Sequence, residues 1–365
     1  MNQRFFVKFR RTVADKSGNS PLQDVSQIKE TLAIKVGTNL CHNSFLLGVL
    51  FMSMKSLFKN FCFVGVASMA SLSTAWANNV QVALEGSLLK VIGDNLANDI
   101  VISQNVAGDI TVTGRNGTTV NGRPSFRLPR VALNAIEMQL EGGNDIVAIR
   151  NLQVANDLYA NLGEGNDRFD LLASTNVGVN AAVEGGLGSD TIRVIDSIIG
   201  EDLFVDGGLD ALTATVTRAS IGKGLTIIGD EAADRVTITD TTMADVGTVE
   251  TKGGNDRIDV SLVMAFAFAI DSDKGADIVN VTDMMTAEDV GVFTGTENDR
   301  VTLTNVMSGK NLIVSLDAGA DFVTVEGVSV TADAVFEGGA GVDTYTDRGI
   351  TAGIKLDVKE FEVFR

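Results

Sequence analysis

The stretch GGNDRIDVSLVMAFAFAIDSDKGADIVNVTDMM, residues 253–285, decides the fold. A glycine-rich turn, Gly253-Gly254-Asn255-Asp256, leads into alternating apolar residues at Ile258 and Val260. Twenty-one residues after Asp256 the pattern recurs: Gly275-Ala276-Asp277, then Val279 and Val281. Working outward, an aspartate stands at the same place in each repeat: Asp145, Asp167, Asp190, Asp210, Asp234, Asp256, Asp277, Asp299, Asp321 and Asp343. The intervals are 22, 23, 20, 24, 22, 21, 22, 22 and 22 and do not drift. A fixed period of this length is the signature of stacked coils, each unable to bury its apolar side alone. The expected fold is all-β: a parallel β-helix (β-solenoid) of about 22 residues per coil and roughly 10–11 coils, about 50 Å long at ~4.8 Å per coil.

Counted from each aspartate, the second residue onward is apolar in every repeat, from Val147 and Phe169 to Val323 and Tyr345. The fourth is apolar in all but the last, where Asp347 stands. Polar residues fill the places between, which is the period-2 pattern of a half-buried strand. A second strand precedes each glycine turn, as in Leu203 with Val205 and Leu225 with Ile227. A short apolar position falls between them: Leu152, Ile198, Met243, Met264, Met285, Met307 and Val328. The methionines there are expected as flexible filler of the coil interior. Two-sheet and three-sheet coils differ mainly in this short face, and both stay open at this point. Pro21, Pro124 and Pro129 are the only prolines, all outside the repeats, where each N–H is needed for a ladder.

The chain divides into segments. Residues 54–77 have the form of a secretory signal peptide: Lys55 and Lys59, an apolar run from Phe61 to Met69, and Ala75-Trp76-Ala77 at the cleavage position. Cleavage after Ala77 leaves Asn78 first. Residues 1–53 are basic and unlike the rest, either an upstream over-extension of the reading frame or a cytoplasmic extension. Residues 78–140 are expected to form an N-terminal cap and first coils. There Asp99 lies 46 residues before Asp145, and a hairpin insertion turns at Asn116-Gly117, between Ile110–Thr113 and Thr118–Val120. Residues 141–348 are the regular repeats. Residues 349–365 form cap strands.

The whole chain carries 29 basic and 47 acidic residues. Nine basic and three acidic residues lie up to Ala77, so from Asn78 on 20 basic residues face 44 acidic ones, a net charge of −24. Such a surface repels nucleic acid and attracts divalent cations. The only histidine, His42, and both cysteines, Cys41 and Cys62, precede Ala77. From Asn78 on there is no Ser-His-Asp or Cys-His catalysis and no zinc site built on His or Cys. After signal cleavage no stable membrane span is expected.

The turns carry the remaining chemistry. Gly185-Gly186-Leu187-Gly188-Ser189-Asp190 and Gly338-Gly339-Ala340-Gly341-Val342-Asp343 both fit G-G-x-G-x-D, and Gly163 to Asp167, Gly253 to Asp256, Gly275 to Asp277 and Gly319 to Asp321 fit it in part. Over residues 140–348 the chain thus resembles the hemolysin-type (RTX-like) calcium-binding repeats. The resemblance implies calcium as cofactor, held by turn carbonyls and by Asp145, Asp167, Asp190, Asp256, Asp277, Asp321 and Asp343. The chain departs from that family in having one such turn per 22 residues, where the family has one per nine. Independently, two carboxylates ~5 Å apart repel by ~1 kcal/mol in water and ~3 kcal/mol at an effective dielectric near 20. A column of them needs relief. Calcium supplies it; so do N–H bonds within the turns, with Asn144, Asn166, Asn255 and Asn298 stacked beside them and Arg168, Arg235, Arg257 and Arg300 neutralising from outside.

These features point to a secreted or cell-surface structural or interaction solenoid, not an enzyme, with an extracellular protein or polysaccharide as partner. The alternatives are a lyase-like polysaccharide-active β-helix, with Arg193, Arg218 or Lys252 as base near Asp190, Asp210 or Asp256, and the passenger of a larger surface system. A catalytic β-helix interrupts its repeats with long loops, and these intervals vary by only a few residues.

Overall fold

The computed structural model describes residues 78–365, together with the backbone of a short antiparallel pair, Phe5–Val7 and Leu32–Ile34. The expected segments 1–53 and 54–77 lie essentially outside the described residues. The repeat region begins in a unit of its own, Ala75–Arg365. It contains no helix and is a β-solenoid of about ten turns, with parallel coils about 22 residues apart.

Each coil has three faces. A long strand such as Arg168–Leu172 lies on its counterpart Asp190–Ile195 in the next coil, Phe169 over Ile192 and Leu171 over Val194. A two-residue strand follows, Asn176–Val177 under Ile198–Ile199. A third strand, Ala181–Leu187, lies under Leu203–Asp206 and closes the coil at the glycine turn. The short face that the sequence left open is therefore a true third face. In the middle coils it is continuous with the long strand, as in Arg235–Met243, Arg257–Ala265 and Ile278–Thr286. The corner between the two is turned by one residue in the left-handed region: Asp240, Leu262 and Asp283 have φ of 51–53°. Asp and Asn accept this conformation because their side chains bond locally. Leu262 does not share that advantage, and its neighbours in the stack hold it there.

The interior is a set of aligned apolar columns. The positions two and four after the aspartates are buried, except at exposed Asp347 in the last repeat: Val236 and Ile238 over Ile258 and Val260 over Val279 and Val281. The third-face strands supply the opposite wall: Leu225 and Ile227, Val249, Phe268 and Ile270, Val290 and Val292. Where a large ring enters, the coil beneath is small: a Cβ on Gly247 would lie 2.4 Å from the Phe268 ring. Four aromatic side chains, Phe336, Tyr345, Phe361 and Phe364, pack ring against ring at 5.2–6.5 Å over the last coils.

The methionine row differs from expectation. Met264, Met285 and Met307, with Ile198, point outward and are 47–53% exposed. The interior at that face is filled by Val263, Met284, Val306 and Val328, one residue earlier in each coil except the last. The strand alternation fixes this: Met284 and Met285 are adjacent, so only one of them faces in. Met243 does lie inside.

The N-terminal segment also differs in its pairing. Asn116 and Gly117 turn the chain at positive φ, as expected. However, Ile110–Gly114 pairs antiparallel with Asp99–Gln104 and with Ser125–Leu128, while Thr119–Val120 joins Asn79–Val80 in parallel. This insertion separates the first coil from the second. At the other end, Lys355–Lys359 and Val363–Phe364 extend the stack as two more parallel strands. No helix among the described residues is long and apolar enough to cross a membrane.

Phe268→Ala removes a fully enclosed ring above Gly247 and is expected to cost about 3–5 kcal/mol of unfolding free energy. Leu262→Ser, at an exposed corner of the same coil, should change it by about 0.5 kcal/mol or less. Urea unfolding of the two variants checks the difference.

Candidate functional site

The turn aspartates form one file, interrupted at a single coil. Each carboxyl Oδ1 accepts the backbone N–H of the equivalent residue in the preceding coil, at 2.7–2.9 Å: Asn98 to Asp145, Asp145 to Asp167, Asp167 to Asp190, Asp234 to Asp256, Asp256 to Asp277, Asp277 to Asp299, Asp299 to Asp321 and Asp321 to Asp343. Glu362 Oε2 ends the file by accepting from Asp343. The backbone bonds back at the same level, as in Arg257 N–H to Asp234 C=O and Ile278 N–H to Asp256 C=O. Each coil pair is thus clamped at the turn by a carboxyl and a carbonyl together.

The register corrects the sequence in two places. Asp190 lies beside Leu212, not Asp210. With Leu212 in the file, the uneven intervals of 20 and 24 become 22 and 22. Asp210 is exposed and accepts Gly188 N–H through Oδ2. The Leu212 side chain cannot accept a hydrogen bond, so Asp190 N–H turns to the carbonyl of Ala211, and Leu212 N–H itself donates to Asp234. At the start, Asn98 rather than Asp99 heads the file, its amide donating to Asp94 and Asn78. Asp99 instead pairs with Arg115.

The second carboxyl oxygen is different. Oδ2 of Asp145, Asp167, Asp190, Asp256, Asp277, Asp299, Asp321 and Asp343 is buried and without a hydrogen-bond partner. Only Asp234 finds one, Asp230 N–H at 3.2 Å. The residue five positions earlier faces it. Where that residue is glycine there is no room for more: a Cβ on Gly185 would lie 2.3 Å from Asp190 Oδ2 and one on Gly229 1.6 Å from Asp234 Oδ2. In three coils it is a buried hydroxyl, Thr251, Ser272 or Thr294, beside Asp256, Asp277 and Asp299. These hydroxyls draw the pKa of their aspartates down, against burial, but lie outside good hydrogen-bond geometry.

Burial is the main cause of a raised pKa along the whole file, opposed in each case by the N–H bond. It pushes Asp145 and Asp299 up to about 8, Asp190, Asp256 and Asp321 to about 7, and Asp167, Asp234 and Asp277 to about 6. Asp343 is raised as well. Neighbouring carboxylates add to the effect, Asp94 on Asp145, Asp210 on Asp190, Asp230 on Asp234, Glu297 and Asp273 on Asp277, Asp317 on Asp321 and Glu362 on Asp343. Lys252 alone opposes it, at Asp234.

The arginines do not relieve the file. Arg168 pairs with Asp170 and Arg257 with Asp259, both on the outer face of the long sheet. Arg235 reaches Asp259 at 3.6 Å, and Arg300 lies over the Phe322 ring. The asparagines behave as expected: Asn144, Asn166, Asn255 and Asn298 accept the N–H of Asn166, Ser189, Ala276 and Ala320 in the following coils.

Calcium takes six to eight oxygens. The seven aspartates proposed for it offer one sealed, unpartnered oxygen each, in single file. No group of three or more His, Cys, Asp or Glu converges among the described residues. As placed, these side chains do not fit a calcium shell; burial instead shifts each carboxyl toward its protonated form. The candidate bases of the lyase alternative are apart from one another: Arg193 lies 3.5 Å from Asp170, Arg218 is bonded to Asp196 and Lys252 is 3.7 Å from Asp230. A surface groove of about 490 Å³, lined by residues such as Ser220, Gly222, Thr242, Met264 and Phe266, has no titratable side chain in its wall.

No protein-family model matches this chain, and neither a curated protein nor a solved structure matches it.

The native file holds protons that the unfolded chain, with aspartates near 3.8, gives up. Its contribution is therefore complete below about pH 4 and is lost as pH rises through 6 to 8. The melting temperature is expected to fall between pH 5 and pH 8. Asp256→Asn with Asp277→Asn keeps the Oδ1 acceptor and turns an N–H₂ toward the hydroxyls of Thr251 and Ser272, so this double variant should show a shallower fall. Asp256→Ala loses the acceptor for Asp234 N–H and should cost about 1–3 kcal/mol at pH 5. Melting curves across that pH range test all three.

Proposed function

We propose that this chain is a secreted or cell-surface structural and interaction element, a stiff solenoid that presents long flat faces to an extracellular protein or polysaccharide. The observation that carries the reading is the unbroken register from Asn98 to Glu362. Beyond the one early insertion, no loop between coils is long enough to build a cleft, and the equivalent residues stay in file. A scaffold needs this regularity; a polysaccharide-cleaving β-helix gives it up to shape a substrate channel. The acidic surface favours solubility outside the cell and disfavours nucleic acid. Export rests on residues 54–77.

Calcium is not required by this reading. The hydrogen-bonded file gives a physical reason for the repeat aspartate without an ion, and the resemblance to calcium-binding repeats then extends to the turn sequence alone.

Expression from Met54 in a secreting host is expected to release protein whose first residue is Asn78, read by N-terminal sequencing. Addition of millimolar calcium at pH 7 should leave the melting temperature unchanged within about 1 °C, whereas a rise of several degrees would restore an ion-bound ladder. Incubation with polyuronates should yield no unsaturated product absorbing in the ultraviolet. Such a product would overturn the scaffold reading.

A further inference from the structure

The outward column of the short third face runs through Asn176, Ile198, Ser220, Thr242, Met264, Met285 and Met307. Beside it lies a corner of small residues, Gly178, Gly200, Gly222 and Ala244, and further on Ala287 and Gly309. Neither column contains a charged residue from Gln153 to Gly353, on a chain that is otherwise strongly acidic. This uncharged strip is uneven in relief. Before Thr242 it is low and lined by glycine and serine, apart from Ile198. After Thr242 it rises into the three half-exposed methionines. The coil from Val246 to Ala267 is one residue shorter than its neighbours, which brings Phe266 to the strip's edge.

Both rims are charged, and their order matters. On one side Arg218 stands one coil before Asp240. On the other Lys223 stands one coil before Asp245, whose N–H donates to the Lys223 carbonyl. A two-fold axis lying across the strip, between the Ser220 coil and the Thr242 coil, exchanges these levels. It sets Ser220 against Thr242 of a second copy and Met264 against Ile198, so that each half-exposed apolar side chain near the axis meets the other. In the same register Arg218, held by Asp196 of its own chain, faces Asp240, and Lys223, held by Glu201, faces Asp245 of the second copy, so that each cation would bridge two acids, on both rims and twice over by symmetry. The groove of about 490 Å³ straddles this axis and has Met264 and Phe266 in its wall.

We propose that the uncharged strip is the surface on which two copies of this chain associate, antiparallel and face to face, about an axis between the Ser220 and Thr242 coils. The occupant is a second copy because the relief and the rim charges complement themselves under that one operation. A closed two-fold contact buries the same patch on both chains. About this axis the four coils from Gln153 to Ser220 overlap the four from Thr242 to Met307, and eight coils at ~4.8 Å and ~10 Å across cover roughly 400 Å² per copy, about 900 Å² in total with the rims. That is the low end for a specific interface, so the dimer is a reversible one that forms with rising concentration.

Sedimentation equilibrium of the full chain, from about 1 to 500 µM, tests this at a concentration range suited to a weak contact. The expected result is a monomer–dimer equilibrium. Met264→Glu, at an exposed position, should weaken it by more than tenfold with the far-ultraviolet circular dichroism unchanged. Arg218→Glu should weaken it less, and Arg218→Glu combined with Asp240→Arg should recover most of the loss. A wild-type chain that stays monomeric to 500 µM, a dimer indifferent to Met264→Glu, or a charge exchange that fails to rescue would each overturn the proposal.

Discussion

The structure depends on one hydrogen bond repeated along the stack: the backbone N–H of a turn residue donating to the carboxyl of its equivalent one coil on. A tight turn leaves amide groups without ladder partners, and buried amides must be satisfied. An aspartate of the next coil reaches back and supplies the acceptor. Because donor and acceptor sit on equivalent residues, the bond forms only when coils stack in register. A slip of one residue would bring a strand's polar side into the core and break the file at the same time. The aspartate therefore works as a register device, and the 22-residue period follows from the need to return to it.

This arrangement burdens the molecule with a column of buried acids. One oxygen of each is satisfied and the other is not. Charge on every member would set carboxylates at about 4.8 Å along a dry seam, where mutual repulsion is largest. Protonation removes the repulsion without asking for space, which Gly185, Gly229 and Gly338 do not leave at Asp190, Asp234 and Asp343. The coil at Leu212 shows that the seam tolerates a gap: the orphaned N–H turns to a carbonyl and the apolar side chain fills the place. Stacking of the apolar columns carries the stability, and the aspartates choose which stacking.

Much of this was legible in the residues. The turn glycines, the aspartate spacing and the alternation at Val147 and Ile149 or Val279 and Val281 were enough for a parallel solenoid and for its core wall. The differences have a common cause. Asp210 stands close to the repeat position in sequence, while its true occupant, Leu212, carries no chemical label. The even spacing of 22 was the signal that could have found it. Met264, Met285 and Met307 face outward because the left-handed corner residue before each, Leu262, Asp283 or Asn305, shifts the alternation by one place, so parity counted from the aspartate does not carry onto the short face. The arginines adjoin the aspartates in sequence, yet in a strand the next residue points to the opposite face, where Arg168 and Arg257 meet Asp170 and Asp259.

By itself, the sequence determined the period, the all-β class, the residues of the long-strand core and the presence of an aspartate at each turn, because these follow from spacing and alternation along one chain. What only the tertiary structure decided is where each aspartate's two oxygens go, which short-face residues look outward, and which side chains come level across coils. Those depend on contacts between residues some 22 positions apart, and on the exact return angle of each coil. No local pattern encodes that angle; the packing of one turn on the next sets it.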